Sequence, residues 1–146
     1  MIKPDDTTYM RMALKEALQA EKEGEVPIGA VVVCQGQVIA RTHNQTETLN
    51  DPTAHAEILA ITAATNTLGS KYLANCSLYV TIEPCVMCAG ALGWAQVGRV
   101  VFGAEDEKRG FLRFAPEALH PKTELTQGVL KEECGELVTN FFRRKR

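Results

Sequence analysis

Short β-branched runs alternate with helix-period segments along this chain, and that alternation restricts it to a sheet covered by helices. The run Ile28, Val31, Val32, Val33 is nearly continuous and reads as a covered strand over 28–34; Gln35-Gly36 turns it into a second strand over 37–41. Leu78, Tyr79 and Val80 mark a third strand over 77–81, 99–103 a fourth, and 124–126 a short last one. Between them lie helices. Thr7 or Thr8 caps a first one ending near Glu23, with Met10, Ala13, Leu14, Ala17 and Leu18 as its apolar stripe and Gly24 as its stop. Pro52 opens a second, to about Thr67, with Ile58, Leu59 and Ile61 as apolar positions, and Pro84 a third, from Cys85 to about Trp94. Val129, Leu130, Glu133, Cys134, Leu137, Val138 and Phe141 trace one face of a last helix, and 104–122 reads as loop with one helical turn.

With 146 residues and no repeat or linker, the chain is expected to be one domain, 1–146. The charge sum of 16 basic against 18 acidic side chains gives −2 and excludes a broadly basic nucleic-acid binder. The charge is uneven, however. Residues 1–70 hold 5 basic and 9 acidic side chains, and residues 71–146 hold 11 and 9, including the terminal run Arg143, Arg144, Lys145 and Arg146. That run reads either as a phosphate-contacting patch or as a solvated tail. No apolar stretch approaches the ~18 residues of a membrane span. The start lacks a secretory pattern, and the five cysteines are odd in number, so a reducing, cytoplasmic setting is expected.

The chemistry concentrates at two helix starts. Cys85-x-x-Cys88 alone is ambiguous between a redox pair, a metal site and buried thiols. Of the three histidines only His55 opens a comparable helix. By itself it reads as a capping or packed residue; with Glu57 and the cysteine pair it reads as a third ligand. Two thiolates in the first turn of a helix are favoured by its exposed N–H groups. One imidazole then completes a three-ligand zinc set, leaving a tetrahedral corner for water. Glu57, two residues past His55, is not beside it on the helix and is not a fourth ligand. It is placed to pass a proton between water and substrate, or simply to face the helix dipole. Such a site suits hydrolytic deamination of an amidine-like ring carbon.

His55-Ala56-Glu57 followed by Pro84-Cys85-Val86-Met87-Cys88 resembles the signature of zinc-dependent nucleobase deaminases. The segments 25–31, 51–58, 78–91 and 98–104, with Asn44 between the first two, are similar to bacterial tRNA adenosine deaminases from about residue 9 to the end. The resemblance implies an α/β fold: three layers, α/β/α, around a central mixed sheet of about five strands, as in cytidine deaminases. It implies Zn2+ on His55, Cys85 and Cys88, Glu57 as catalytic proton shuttle, and conversion of the wobble adenosine of a tRNA anticodon stem-loop to inosine by a homodimer. Asn44 matches a base-binding amide, although in a polar loop it also reads as a turn residue. Asp106 and Lys108 match a loop near the substrate, where Asp106 holds a ribose or orders the loop. Phe142 and Arg143 match a C-terminal element beside a flanking base and the backbone.

The chain departs from that pattern after Gly110, where Phe111-Leu112-Arg113-Phe114 is bulky and the following segment short. Phe111 and Phe114 are each open to packing, pocket-lining or dimer roles. Two other readings stand beside the RNA deaminase. A small-molecule deaminase acting on guanine, cytosine or a nucleoside shares the zinc chemistry but wants a closed pocket. A zinc-stabilised binding protein wants a filled fourth coordination position and no Glu57.

Overall fold

The computed structural model describes residues 1–145; Arg146, the last of the terminal basic run, lies outside them. The chain runs α1 (Asp6–Lys22), β1 (Gly29–Cys34), β2 (Gln37–His43), α2 (Ala56–Leu68), β3 (Cys76–Ile82), α3 (Val86–Trp94), β4 (Arg99–Ala104), α4 (Phe111–Phe114), β5 (Glu124–Gln127) and α5 (Lys131–Arg144). The five strands form one sheet in the order β2-β1-β3-β4-β5. β1 is antiparallel to both β2 and β3, whereas β3, β4 and β5 run parallel. This is the expected mixed five-stranded sheet in a three-layer sandwich.

Alternation along the strands separates two cores. Ala30, Val32, Leu78, Val80, Val100 and Phe102 face α2 and α3, joined by Ala56, Ala60, Ala64, Ala89 and Leu92. Val31, Val33, Tyr79 and Val101 face α1 and α5, with Met10, Ala13 and Cys134. The hairpin between β1 and β2 turns on Gln35 and Gly36, both with positive φ (52° and 77°), the pairing a two-residue turn of matching twist requires.

Helix boundaries and faces differ from the sequence expectation. α1 starts at Asp6 rather than at a Thr7 or Thr8 cap, because the Asp6 carboxyl is captured by the Lys3 N–H (2.6 Å) and by Arg99. Its buried face is Met10, Ala13, Ala17 and Ala20, and Leu18 is exposed. The cause is Gly29, where an added Cβ would collide with the Ala13 carbonyl and the Ala17 N–H. Helix and strand meet too closely for large side chains. α2 starts at Ala56, not Pro52: the Asp51 carboxyl accepts from the Thr53 N–H (2.8 Å) and hydroxyl (2.7 Å), closing a turn that delays the helix. Alanines again face the sheet on α2, leaving Ile58, Leu59 and Ile61 half-buried at its flanks. In the bulky segment Phe111 is fully buried in the α2–α3 core and Phe114 is exposed.

Candidate metal centre

His55 and Cys85 occupy equivalent places, each the extended residue immediately before a helix (ψ 152° and 173°). Cys88 lies one turn into α3 and is buried; Glu57 is the second residue of α2 and only 4% exposed. Pro84 rigidifies the approach to Cys85, and Ala54, buried at the close of the 45–54 loop, accepts from the Gln45 N–H (3.0 Å) just before His55. Two N-termini therefore point their free N–H groups and positive dipole ends into one space.

The ligand atoms of His55, Cys85 and Cys88 all lie within 4.8 Å of one another. His55 Nδ1 stands 3.6 Å from Cys85 Sγ and 3.4 Å from Cys88 Sγ. A nitrogen at about 2.0–2.1 Å and a sulfur at about 2.3 Å from one tetrahedral zinc stand about 3.5 Å apart, so the donor set fits that ion. Two sulfurs and one nitrogen also suit zinc better than harder cations. Among the described residues no carboxylate joins this set, Glu57 included.

The electrostatics are those of a tightly coupled cluster. Hydrogen bonding from the Cys88 thiol, opposed by burial and helped by His55 and the Cys88 N–H, holds Cys85 down at about 4. Cys88 goes the other way, raised by its bond to Cys85 and by burial. Within the pair the first thiolate forms readily, and its charge keeps the proton on its neighbour. His55 is raised, chiefly by Cys85 and against burial. Burial pushes Glu57 up to about 7, against its own N–H, His55 and the Cys88 thiol, with the Cys85 charge adding to the rise.

The remaining expected site residues are not in this cluster. Asn44 is buried just past β2, its N–H donating to the Ile28 carbonyl (3.1 Å). Asp106 accepts from the Lys108 and Arg109 N–H groups (3.0 Å each), which is the loop-ordering option for this side chain. Lys108 is exposed on the same loop. Phe142 is 48% exposed and edge-on to buried Phe141 (5.4 Å between centroids). Arg143 lines a groove with Lys131, Glu105, Glu107, Glu132 and Glu136, and Lys131 pairs with Glu105 (3.6 Å).

Besides Asp6, two buried carboxyls near the site escaped the sequence reading. Glu25 accepts from the Glu47 N–H (3.1 Å), the Thr48 N–H and hydroxyl (2.7 Å each) and the Thr46 hydroxyl (3.4 Å). Glu83 accepts from the Asp106 N–H (3.1 Å) and the Leu112 N–H (3.0 Å). Their signal was positional only, since each lies one or two residues before a proline at the edge of a motif.

Comparison with known proteins agrees with this geometry. Residues 3–104 match the family described as the cytidine and deoxycytidylate deaminase zinc-binding region. A tRNA-specific adenosine deaminase of Bacillus subtilis is 48% identical over 146 residues, spanning 97% of this chain and 91% of that protein. A structure from studies of A-to-I editing by tRNA:A34 deaminases at the wobble position superposes with a TM-score of 0.84 at 43% identity, over 90% of this chain and 99% of the other. A guanine deaminase structure from Bacillus subtilis matches less far, with a TM-score of 0.65 at 40% identity over 71% of this chain and 66% of the other. With zinc-compatible ligands at two helix starts and a family match over most of its length, the chain belongs to the zinc-binding cytidine and deoxycytidylate deaminase family.

Proposed function

We propose that the whole chain acts as one deaminase domain that hydrolyses the wobble adenosine of a tRNA anticodon to inosine and ammonia. The observation that carries the chemistry is the gathering of His55 Nδ1 and the Cys85 and Cys88 sulfurs within 4.8 Å, with buried Glu57 two residues from the histidine. The adenosine substrate is supported by the relatives' names and by 48% identity over nearly the whole chain, whereas guanine deaminase structures match either over 71% of the chain or at only 24% identity.

His55, Cys85 and Cys88 hold the ion, and the chemistry zinc supplies there is activation of water near neutral pH. Glu57 takes one proton of the attacking water and delivers it to the ring nitrogen; it then takes the second proton from the hydroxyl now on the ring carbon and gives it to the amine, so that the carbonyl forms as the C–N bond breaks and ammonia leaves. Asn44 holds the base, its amide both donating and accepting without adding charge. Asp106 orders the 106–110 loop so that Lys108 lies at the mouth. Phe142 and Arg143 contact a flanking nucleotide from the end of α5. A macromolecular RNA substrate puts the enzyme in the cytoplasm. No helix among the described residues is long and apolar enough to cross a membrane. The active form is a homodimer, supported by the apolar outer side of α3, where Val86, Met87 and Trp94 are exposed, Trp94 by 86%.

The test is to incubate the zinc-loaded protein with anticodon stem-loops bearing adenosine or cytidine, and with free adenine, guanine and cytosine. Inosine from the adenosine stem-loop alone is expected. Ammonia from free guanine, with the stem-loop untouched, would overturn the substrate assignment.

A further inference from the structure

Glu83 lies between β3 and the metal cluster, two residues before Cys85. Its side chain is only 7% exposed, and its two oxygens are used separately. Oε1 accepts from the Asp106 N–H and Oε2 from the Leu112 N–H, so one carboxyl grips both ends of the segment between β4 and α4. The backbone repeats the grip. The Glu83 N–H donates to the Ala104 carbonyl (2.8 Å), the Phe111 N–H donates to the Pro84 carbonyl (2.9 Å), and Cys85 and Gly110 form an isolated β-bridge.

Gly110 shows how closely the two segments meet. Its φ and ψ of −61° and 139° are open to any residue, so conformation does not require glycine here. Space does. A Cβ at Gly110 would fall on the Glu83 carboxyl carbon and both its oxygens. The glycine is there so that the loop can lie against the carboxyl.

We propose that Glu83 is a positioning residue for substrate binding, locking the Asp106–Leu112 segment to the strand end that carries Cys85. The loop bearing Lys108 is thereby set at a fixed distance from the metal ligands. A buried carboxyl accepting two N–H groups is stiffer than a turn held by water, and its loss leaves two part-buried donors without their partner. This inference rests on the reading of that loop as a substrate contact.

The experiment uses the full zinc-loaded chain and the variants Glu83→Gln, Glu83→Ala, Gly110→Ala and Glu83→Ala/Gly110→Ala. Zinc content, amide hydrogen exchange at Asp106 and Leu112, and kcat and KM on the adenosine stem-loop are measured. In Glu83→Gln, nearly the same shape but with an NH2 facing one donor, zinc content should hold while that donor's amide exchanges about tenfold faster, and in Glu83→Ala both amides should. KM should rise about tenfold with kcat changed less than about threefold, the scale of one lost charge-assisted hydrogen bond. Gly110→Ala should give the same pattern alone and add nothing to Glu83→Ala, because the side chain it collides with is gone. Unchanged exchange at both amides overturns the proposal, and so does loss of zinc with kcat falling at constant KM. If the wild-type protein leaves the stem-loop unmodified, the substrate reading has failed, and the exchange, zinc and Gly110 coupling results still decide whether Glu83 locks the loop.

Discussion

Asp6 and Arg99, 93 positions apart in the chain, meet in a two-pronged ion pair with both N···O distances at 2.7 Å. The pair is buried, and most of its remaining capacity is used, the exception being Arg99 Nε, which is buried without a hydrogen bond and lies 3.8 Å from the Glu124 carboxylate. Asp6 also accepts from the Lys3 N–H (2.6 Å) and the Tyr79 hydroxyl (2.7 Å), while Arg99 donates to the Met1 carbonyl (3.1 Å) and the Thr126 hydroxyl (3.0 Å). One cluster thus ties the N-terminus and α1 to β3, β4 and β5. Burial by itself would raise the Asp6 carboxyl, but hydrogen bonds from Arg99, the Lys3 N–H and Tyr79 outweigh it and hold Asp6 at about 2.

An acid-range stability loss follows from that depressed value. Unfolded aspartate titrates near ~3.9, so the contribution is complete above about pH 4 and disappears as pH falls toward 2. It amounts to about 2 kcal/mol. Urea midpoints measured from pH 5 down to pH 2.5 should fall more steeply for the wild type than for Asp6→Asn. Equal slopes would show that Asp6 is not ionised in the fold. At neutral pH, Asp6→Asn should cost about 3 kcal/mol by leaving Arg99 buried without its countercharge.

Glu57→Gln should keep full zinc content and lose activity by about 10²–10⁴-fold, the usual scale for a missing acid–base group. The amide fits the same space but cannot carry a proton between water and leaving amine. Metal analysis alongside inosine formation checks this, and activity within tenfold of wild type would remove Glu57 from the proton path.

His55→Ala, Cys85→Ser and Cys88→Ser should each lose zinc and lower the melting temperature, because the donors come from two helix starts that the ion would join. Zinc uptake should also release protons, since Cys88 is raised and cannot ligate until its thiol proton leaves. A lightly buffered pH-indicator titration of the wild-type protein with zinc reads that release directly, and no release at saturating zinc would show both thiols already deprotonated.

The strands and the ligand trio were legible because both depend on local signals, namely β-branched runs and a Cys-x-x-Cys that needs a third donor. What was hidden lies in tertiary choices. Leu18 fits a helical stripe as well as Ala20 does, and only the collision that a Cβ at Gly29 would cause decides for alanine. Pro52 is as good a helix opener as any, but the Asp51 turn holds the backbone until Ala56. Glu25 and Glu83 look like surface acids in a sequence; their burial follows from loops that return to them from about 20 residues or more further along. Phe111 reads as a free bulky residue until α4 tips it into the core.

Glu25 holds the loop that joins Asn44 to His55, taking four hydrogen bonds from Thr46, Glu47 and Thr48. Glu25→Ala should therefore cost about 2 kcal/mol in stability, within the range for leaving buried donors unpaired. It should also raise KM, because Asn44 and His55 flank that loop. Chemical denaturation with steady-state kinetics checks both, and loss of stability with KM unchanged would confine Glu25 to the fold.

The basic end of α5 is not uniform. Arg144 is held at 2.5 Å by the Glu21 carboxylate, and Lys145 lies 5.1 Å over the Phe141 ring, its charge still open to solvent. Arg143 is exposed among glutamates. If this end meets RNA, the charges not already committed to carboxylates should matter most. Reversing Arg143 and Lys145 to Glu should weaken stem-loop binding and flatten its salt dependence by about 0.7 for each phosphate no longer neutralised. Arg144→Glu should leave that slope nearly unchanged and act instead on stability, by repelling Glu21. Equal slopes for all three variants, measured by binding between low and moderate salt, would move the phosphate-binding charges away from this helix end and onto the loop that carries Lys108.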